Sequence, residues 1–120
     1  MARILAVDDS ASMRQMVNFT LKEAGHEVSE AADGEQALAL AKSQRYDLVL
    51  TDVNMPKMDG ISLIRNLRGL PNYRITPILT LTTEASSDKK NEGKTAGATG
   101  WIVKPFTPDK LLAAINRVLG

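Results

Sequence analysis

A chain of 120 residues has the size of one compact domain, and a hydrophobic share of 43% suits a soluble fold with a single core. A formal charge of +1 argues against a nucleic-acid partner, and the lack of cysteine removes disulfides and thiolate metal sites. The opening residues MARILAV do not read as a signal peptide, and no apolar run is long enough to span a membrane, so the expectation is a single-domain, monomeric, cytoplasmic protein.

Short apolar runs alternate with segments of helical period along the whole chain. Ile4-Leu5-Ala6-Val7 reads as a buried strand. Met13, Met16, Val17, Leu21 and Ala24 then recur at three- and four-residue spacings, predicting a helix that stops at Gly25. His26 to Ala31 alternates weakly and predicts a strand nearer the sheet edge, with His26 as a surface residue of it. Asp33-Gly34 opens a second helix running to about Gln44. Leu48-Val49-Leu50 is a fully apolar strand leading directly into Thr51-Asp52. After the loop 53–59, Leu63, Ile64 and Leu67 mark a third helix, with Asp59 as its N-cap. Pro77 to Leu81 predicts a strand with proline at its first position, where it is tolerated. Trp101-Ile102-Val103 is the last strand, and Thr107-Pro108 starts a helix whose Leu111, Leu112, Ile115, Val118 and Leu119 face inward.

Five β–α repeats predict an α/β fold, doubly wound, with a five-stranded parallel sheet in the order 2-1-3-4-5 and helices on both faces. One segment departs from the pattern. Ser86 to Gly97, SSDKKNEGKTAG, lies where the fourth helix belongs, yet carries no Leu, Ile, Val, Met or aromatic residue. Gly93 in its middle costs roughly 1 kcal/mol against alanine. The expectation is a solvated helix that shifts or frays easily.

In open parallel sheets, ligands gather beyond the carboxyl ends of the strands at the topological switch point. Here those ends are polar: Asp8-Asp9, Asp52, Thr82 and Lys104. In the 2-1-3-4-5 order the first and third strands are neighbours, which brings Asp8, Asp9 and Asp52 into one cleft with Thr82 and Lys104 beside them. A like-charge pair about 4 Å apart costs on the order of 4 kcal/mol at an effective dielectric near 20. Either a carboxyl pKa rises or cations compensate. Lys104 supplies one charge, and the remaining acidic excess suits Mg²⁺. Acids, divalent ion, lysine and hydroxyl together suit the handling of a phosphoryl group, with Asp52 as nucleophile. Taken singly, an Asp-Asp pair is often a capping region and a lone lysine is usually solvated. Their occurrence together at four strand ends is what points to chemistry. The five methionines read as packing, not as a metal site.

With these residues in place, the chain resembles the receiver domain of two-component response regulators, and among them the stand-alone chemotaxis regulators of the CheY type. The likeness runs through AVDDS at 6–10, TDVNMPKMDG at 51–60, LTTEA at 81–85 and GATGWIVKPF at 97–106. The resemblance implies that Asp52 accepts a phosphoryl group from a phosphohistidine on a CheA-like histidine kinase. It implies that Asp9, Asp52 and the Asn54 carbonyl bind Mg²⁺, with Asp8 acting through water. Lys104 would pair with Asp52 at rest and with a phosphoryl oxygen afterwards, and the Thr82 hydroxyl would hold another oxygen. The Lys104–Pro105 bond would be cis. Asn54 and Glu84, flanking the path of the hydrolytic water, imply autodephosphorylation within seconds to minutes, with or without a phosphatase. Trp101 stands where these regulators commonly carry a tyrosine that swings inward, and reads as a switch or partner anchor, with plain packing as the alternative. The partner would be a motor-switch protein or another target, bound on the fourth helix, fifth strand and fifth helix.

Other readings fit less well. An aspartyl-phosphate hydrolase of the haloacid dehalogenase kind would want a second acid at position 54. A flavin carrier would want a phosphate loop, not acids, after the first strand. A phosphate sink, a receiver that drains a kinase without a downstream target, has the same sequence features as the switch.

Overall fold

The computed structural model of the chain describes residues 2–83 and 87–119, and within these the side chains of 87–90 are left aside. In chain order it contains β1 (Arg3–Val7), α1 (Ala11–Glu23), β2 (Glu27–Ala31), α2 (Gly34–Ser43), β3 (Leu48–Asp52) and α3 (Gly60–Arg68). A single 3-10 turn (Pro71–Tyr73) follows, then β4 (Ile78–Thr82), α4 (Ser87–Ala96), β5 (Gly100–Val103) and α5 (Pro108–Leu119). The sheet is parallel throughout, in the order β2-β1-β3-β4-β5, as the repeat pattern predicts.

Strand alternation divides the core in two. Ile4, Ala6, Leu48, Leu50, Leu79, Leu81 and Ile102 pack with Val17 and Leu21 of α1 and Leu111 and Ile115 of α5. Leu5, Val7, Val49 and Ile78 point the other way, against Ala37 and Ala41 of α2 and Leu63, Ile64 and Leu67 of α3. Because both faces are covered, the strands read as unbroken apolar runs and not as alternating ones. Each buried aliphatic side chain contributes about 1.5–3 kcal/mol. The methionines Met13, Met16, Met55 and Met58 pack against the margins of these two clusters.

Among the described residues, four helix starts carry side-chain caps. Ser10 Oγ accepts from the Met13 N–H at 3.3 Å, Asp33 Oδ1 from Gln36 at 2.8 Å, Asp59 Oδ1 from Ser62 at 2.7 Å and Thr107 Oγ1 from Lys110 at 3.2 Å. Each is worth about 1 kcal/mol. They fix where each chain segment leaves the carboxyl end of the sheet, and therefore where the loops of the site begin.

Two details differ from the sequence reading. His26 lies before β2, not within it, and its Nδ1 accepts the Ala2 N–H at 3.0 Å, tying the start of the chain to the α1–β2 turn. Weak alternation alone does not distinguish a strand's first residue from the turn that precedes it. Pro77 also stands just outside its strand, offering its carbonyl to the Val49 N–H at 3.1 Å.

Candidate functional site

Two strands, β1 and β3, deliver the acidic centre. Asp8 follows β1, with its N–H donating to the Ala31 carbonyl at 3.1 Å, so the ladder with β2 continues one residue beyond the strand. Asp52 is the last residue of β3. Behind it Gly60 opens α3, donating its N–H to the Val53 carbonyl at 2.8 Å. A Cβ at position 60 would lie 2.1 Å from the Asp52 carbonyl oxygen, so only glycine lets α3 start this close to the end of β3. The loop between them is tied to α2 by the Gly34 N–H, which donates to the Met58 carbonyl at 3.2 Å.

Carboxylate oxygens of Asp8, Asp9 and Asp52 all lie within 4.8 Å of one another. The Lys104 ammonium, carried at the end of β5, sits 2.8 Å from Asp8 Oδ2 and 3.5 Å from Asp52 Oδ1. The shorter contact is therefore to Asp8, whereas the resemblance paired Lys104 with Asp52. Burial accounts for the difference. Asp8 is 2% exposed, so its charge has little water and competes hardest for the ammonium. Asp8 Oδ1 accepts the Ser10 N–H at 2.9 Å, while Asp52 Oδ1 takes the Val53 N–H at 2.8 Å. Burial, and then the charge on Asp8, push the Asp52 carboxyl above its ordinary value of 3.8. Lys104 and the Val53 N–H oppose that rise without cancelling it.

This donor set fits a small, hard cation. Octahedral Mg²⁺ holds oxygens at about 2.1 Å, so neighbouring ligands lie about 3 Å apart and opposite ones about 4 Å. The spread of the three carboxylates is close to that span, and all the side-chain donors are oxygen. Asp9 is exposed and offers an open approach, while Asp8 and Asp52 form the inner wall.

The other expected residues stand around this centre. Thr82 ends β4, buried at 5%, and its carbonyl accepts the Lys104 N–H at 2.7 Å. The Lys104–Pro105 peptide is cis. Asn54 is exposed in the loop after Asp52. Glu84 lies outside the described residues. Trp101 is 43% exposed and lines a cavity of about 230 Å³ with Thr80 of β4, Gly93 and Lys94 of α4, and the loop before β5. It is not core filler: on β5 only Ile102 faces the core, and Trp101 and Val103 face the other way.

Sequence reasoning missed Arg14. Its guanidinium Nη1 donates to the Asp8 carbonyl at 2.6 Å. No motif marks it, because an arginine one turn into a helix ordinarily extends into water.

Residues 4–116 match the family described as "Response regulator receiver domain". The chain is 43% identical over 117 residues to the gliding motility regulatory protein of Myxococcus xanthus, covering 97% of this chain and 15% of that protein. Among solved structures, chemotaxis response regulator CheY4 of Vibrio cholerae superposes with a TM-score of 0.96 at 56% identity, covering 98% of both chains. The receiver domain of sensor histidine kinase PA1611 from Pseudomonas aeruginosa, solved with a magnesium ion coordinated in its active-site cleft, superposes with a TM-score of 0.92 at 34% identity, covering 99% of this chain and 98% of that one. The fold and the order of the strands agree with these likenesses, and the chain belongs to the response-regulator receiver family, in the company of the CheY-type chemotaxis proteins.

Proposed function

We propose that the chain is a phosphorylation-dependent switch whose phosphoacceptor is Asp52. The observation that carries this reading is the convergence of Asp8, Asp9 and Asp52 with Lys104 at the ends of three strands. An Asp52 oxygen attacks phosphorus of a phosphohistidine on a CheA-like histidine kinase. An O–P bond forms as the N–P bond breaks, giving an acyl phosphate on Asp52, and the leaving imidazole takes up a proton from water. Asp8, Asp9, Asp52 and the Asn54 carbonyl are the residues that would hold Mg²⁺, which when bound neutralises charge on the transferring phosphoryl group.

Lys104 is placed to follow the charge. At rest it bridges Asp8 and Asp52, and a short swing brings its ammonium to a phosphoryl oxygen. Thr82, at the end of the neighbouring strand, supplies a hydroxyl to another. Thr82 lies opposite Val103 of β5, and Lys104 directly follows that strand, which also carries Trp101, so movement at the site is passed along β5 to the α4–β5–α5 face. Adding a phosphoryl group then biases a two-state equilibrium of that face, and a target protein reads it. Asn54 and Glu84 set how fast water reaches the acyl phosphate.

The test is to add Mg²⁺ and acetyl phosphate and follow intact mass and Trp101 fluorescence in the wild type and in Asp52→Asn. A Mg²⁺-dependent phosphoryl adduct and fluorescence change, both absent from Asp52→Asn, support the switch. No adduct on the wild type sinks it. An adduct with no fluorescence change sinks the coupling to Trp101 and leaves the phosphate-sink reading in its place.

A further inference from the structure

Arg14 is the one guanidinium that reaches the backbone of the acidic turn among the described residues. Its Nη1 donates to the Asp8 carbonyl at 2.6 Å, and its Nε lies 3.5 Å from Glu30 Oε1. The side chain is only 20% exposed. Glu30 stands on β2 opposite Ala6, and its other carboxylate oxygen accepts from the Asn18 side-chain amide of α1. Arg14 therefore bridges α1, the edge strand and the turn that carries Asp8 and Asp9.

Asp8 lies one residue beyond β1, and its N–H, on the Ala31 carbonyl, makes the last bond of the ladder with β2. Past that bond the turn is held by the Ser10 N–H on Asp8 Oδ1, by Lys104 on Asp8 Oδ2 and by Arg14 on Asp8 O, of which Arg14 alone grips the carbonyl. The plane of the Asp8–Asp9 peptide sets the direction in which Asp9 leaves the chain. A bare arginine this close to three carboxylates would repel a divalent cation. Here Glu30 neutralises it, and the guanidinium is left as a rigid forked donor.

We propose that Arg14 is a positioning residue for the metal site: by holding the Asp8 carbonyl it fixes the direction in which Asp9 presents its carboxylate to Mg²⁺. This rests on the metal-site reading given above. Positioning and bare charge make opposite predictions. If Arg14 positions, its loss weakens Mg²⁺ binding. If it acts only as a nearby positive charge, its loss strengthens binding.

The experiment is a Mg²⁺ titration of the full chain, followed by amide NMR shifts of the Asp8–Ser10 turn, for wild type, Arg14→Gln, Arg14→Lys and Glu30→Gln. Melting temperatures are measured alongside without metal. Loss of an outer partner of a metal ligand ordinarily weakens affinity about 10- to 100-fold, and Arg14→Gln is expected in that range. Arg14→Lys keeps the charge but cannot span the Asp8 carbonyl and Glu30 together, so it is not expected to restore affinity. Glu30→Gln, which leaves the bond to Asp8 in place but removes the neutralising charge, is expected to weaken binding by a smaller factor.

A merely structural role would lower the melting temperature of the Arg14 variants and leave the Mg²⁺ affinity of the folded protein unchanged. Unchanged or tighter binding in Arg14→Gln, or full recovery in Arg14→Lys, overturns the proposal. A wild-type chain with no saturable Mg²⁺ binding overturns the metal-site reading itself, so the two failures are distinguishable.

Discussion

The acidic cleft and the α4–β5 face adjoin each other and are built in opposite ways. In the cleft, Asp8, Asp52 and Lys104 each have side chains no more than 14% exposed and are held by backbone N–H groups or by one another. On the face, Trp101 and Val103 are 43% and 41% exposed. Over residues 91–96 of α4 only Gly93 and Ala96 are buried. A cavity of about 230 Å³ lies between that helix and β5. The cleft thus stands on fixed supports, and the face proposed to report on it is loosely packed. A charge added at Asp52 has little to move inside the cleft, whereas the face has room to answer. Regions that must change shape are drawn from the weakly packed end of a structure.

Arg68 marks where that looseness stops, and removing it is expected to have the largest effect. Its guanidinium donates to Gly97 O at 3.0 and 2.8 Å, to Tyr73 O at 2.6 Å and to Thr76 O at 2.7 Å. Burial lowers its pKa, yet its partners are all carbonyls. The chain takes a left-handed turn at Gly97, φ 113°, where a Cβ would lie 2.9 Å from Arg68 Cγ. Arg68 thus ties α3, the approach to β4 and the C-terminal end of α4 together. Arg68→Met is expected to cost about 2–4 kcal/mol in urea unfolding, since it leaves several half-buried carbonyls without a donor. A loss below about 1 kcal/mol would show that the face is loose at both ends, not at one.

In the cleft the corresponding variant is Lys104→Met. It leaves Asp8 and Asp52 to repel each other without compensation, with an expected loss of about 1–3 kcal/mol at neutral pH. Because the competing ammonium is gone, Mg²⁺ should stabilise this variant more than it stabilises wild type. Equal Mg²⁺ stabilisation of the two would mean that lysine and metal do not share the same carboxylates.

Asp52→Asn should act in the other direction and by less. The folded-state pKa of Asp52 is raised, so below 3.8 the carboxyl is protonated in both states and carries no penalty. As pH climbs through the raised folded value, the native state must ionise a carboxyl it holds poorly, and stability falls. Asparagine never ionises. Its melting temperature should exceed the wild-type value at pH 7, with the gap closing as pH drops below 3.8. A gap that persists unchanged at low pH would assign the gain to packing and not to charge.

Sheet order and cleft were legible because β1, β3, β4 and β5 each lead from apolar residues to a polar one, and the parallel topology places those polar residues together. Asp8, Asp9, Asp52 and Lys104 could be paired from that alone. The choice of Lys104 for Asp8 over Asp52 could not, because it depends on how deeply each carboxylate is buried. Arg14 and Arg68 were illegible for a related reason. Arg14 reaches the acidic turn through the Asp8 carbonyl and Arg68 bonds only carbonyls, and main-chain carbonyls are carried by every residue and distinguished by no sequence. His26 shows the same limit, since its partner is the Ala2 N–H. Trp101 could be placed on a strand, but its half-exposure reflects how little α4 covers, a property of the neighbour and not of the tryptophan.

That coverage can be tested at Gly93, where the expected effect is smallest. Gly93 lies inside α4, buried, and a Cβ there would meet Ile61 Cδ1 at 3.7 Å and Ala98 Cβ at 3.8 Å, both ordinary contacts. Alanine therefore fits, and it removes the backbone freedom of glycine in a helix, so Gly93→Ala should stabilise the chain by about 0.4–1 kcal/mol. The gain should be local. Amide exchange should slow in α4 far more than in α5, whose Leu111 and Ile115 are already fully buried. If the looseness of α4 is what lets the face respond, the same substitution should shrink the Trp101 fluorescence change on phosphorylation while leaving the yield of adduct at Asp52 intact. Wild-type α4 amides that already exchange as slowly as those of α5 would remove the contrast between cleft and face, because α4 would then be held as firmly as the cleft it adjoins.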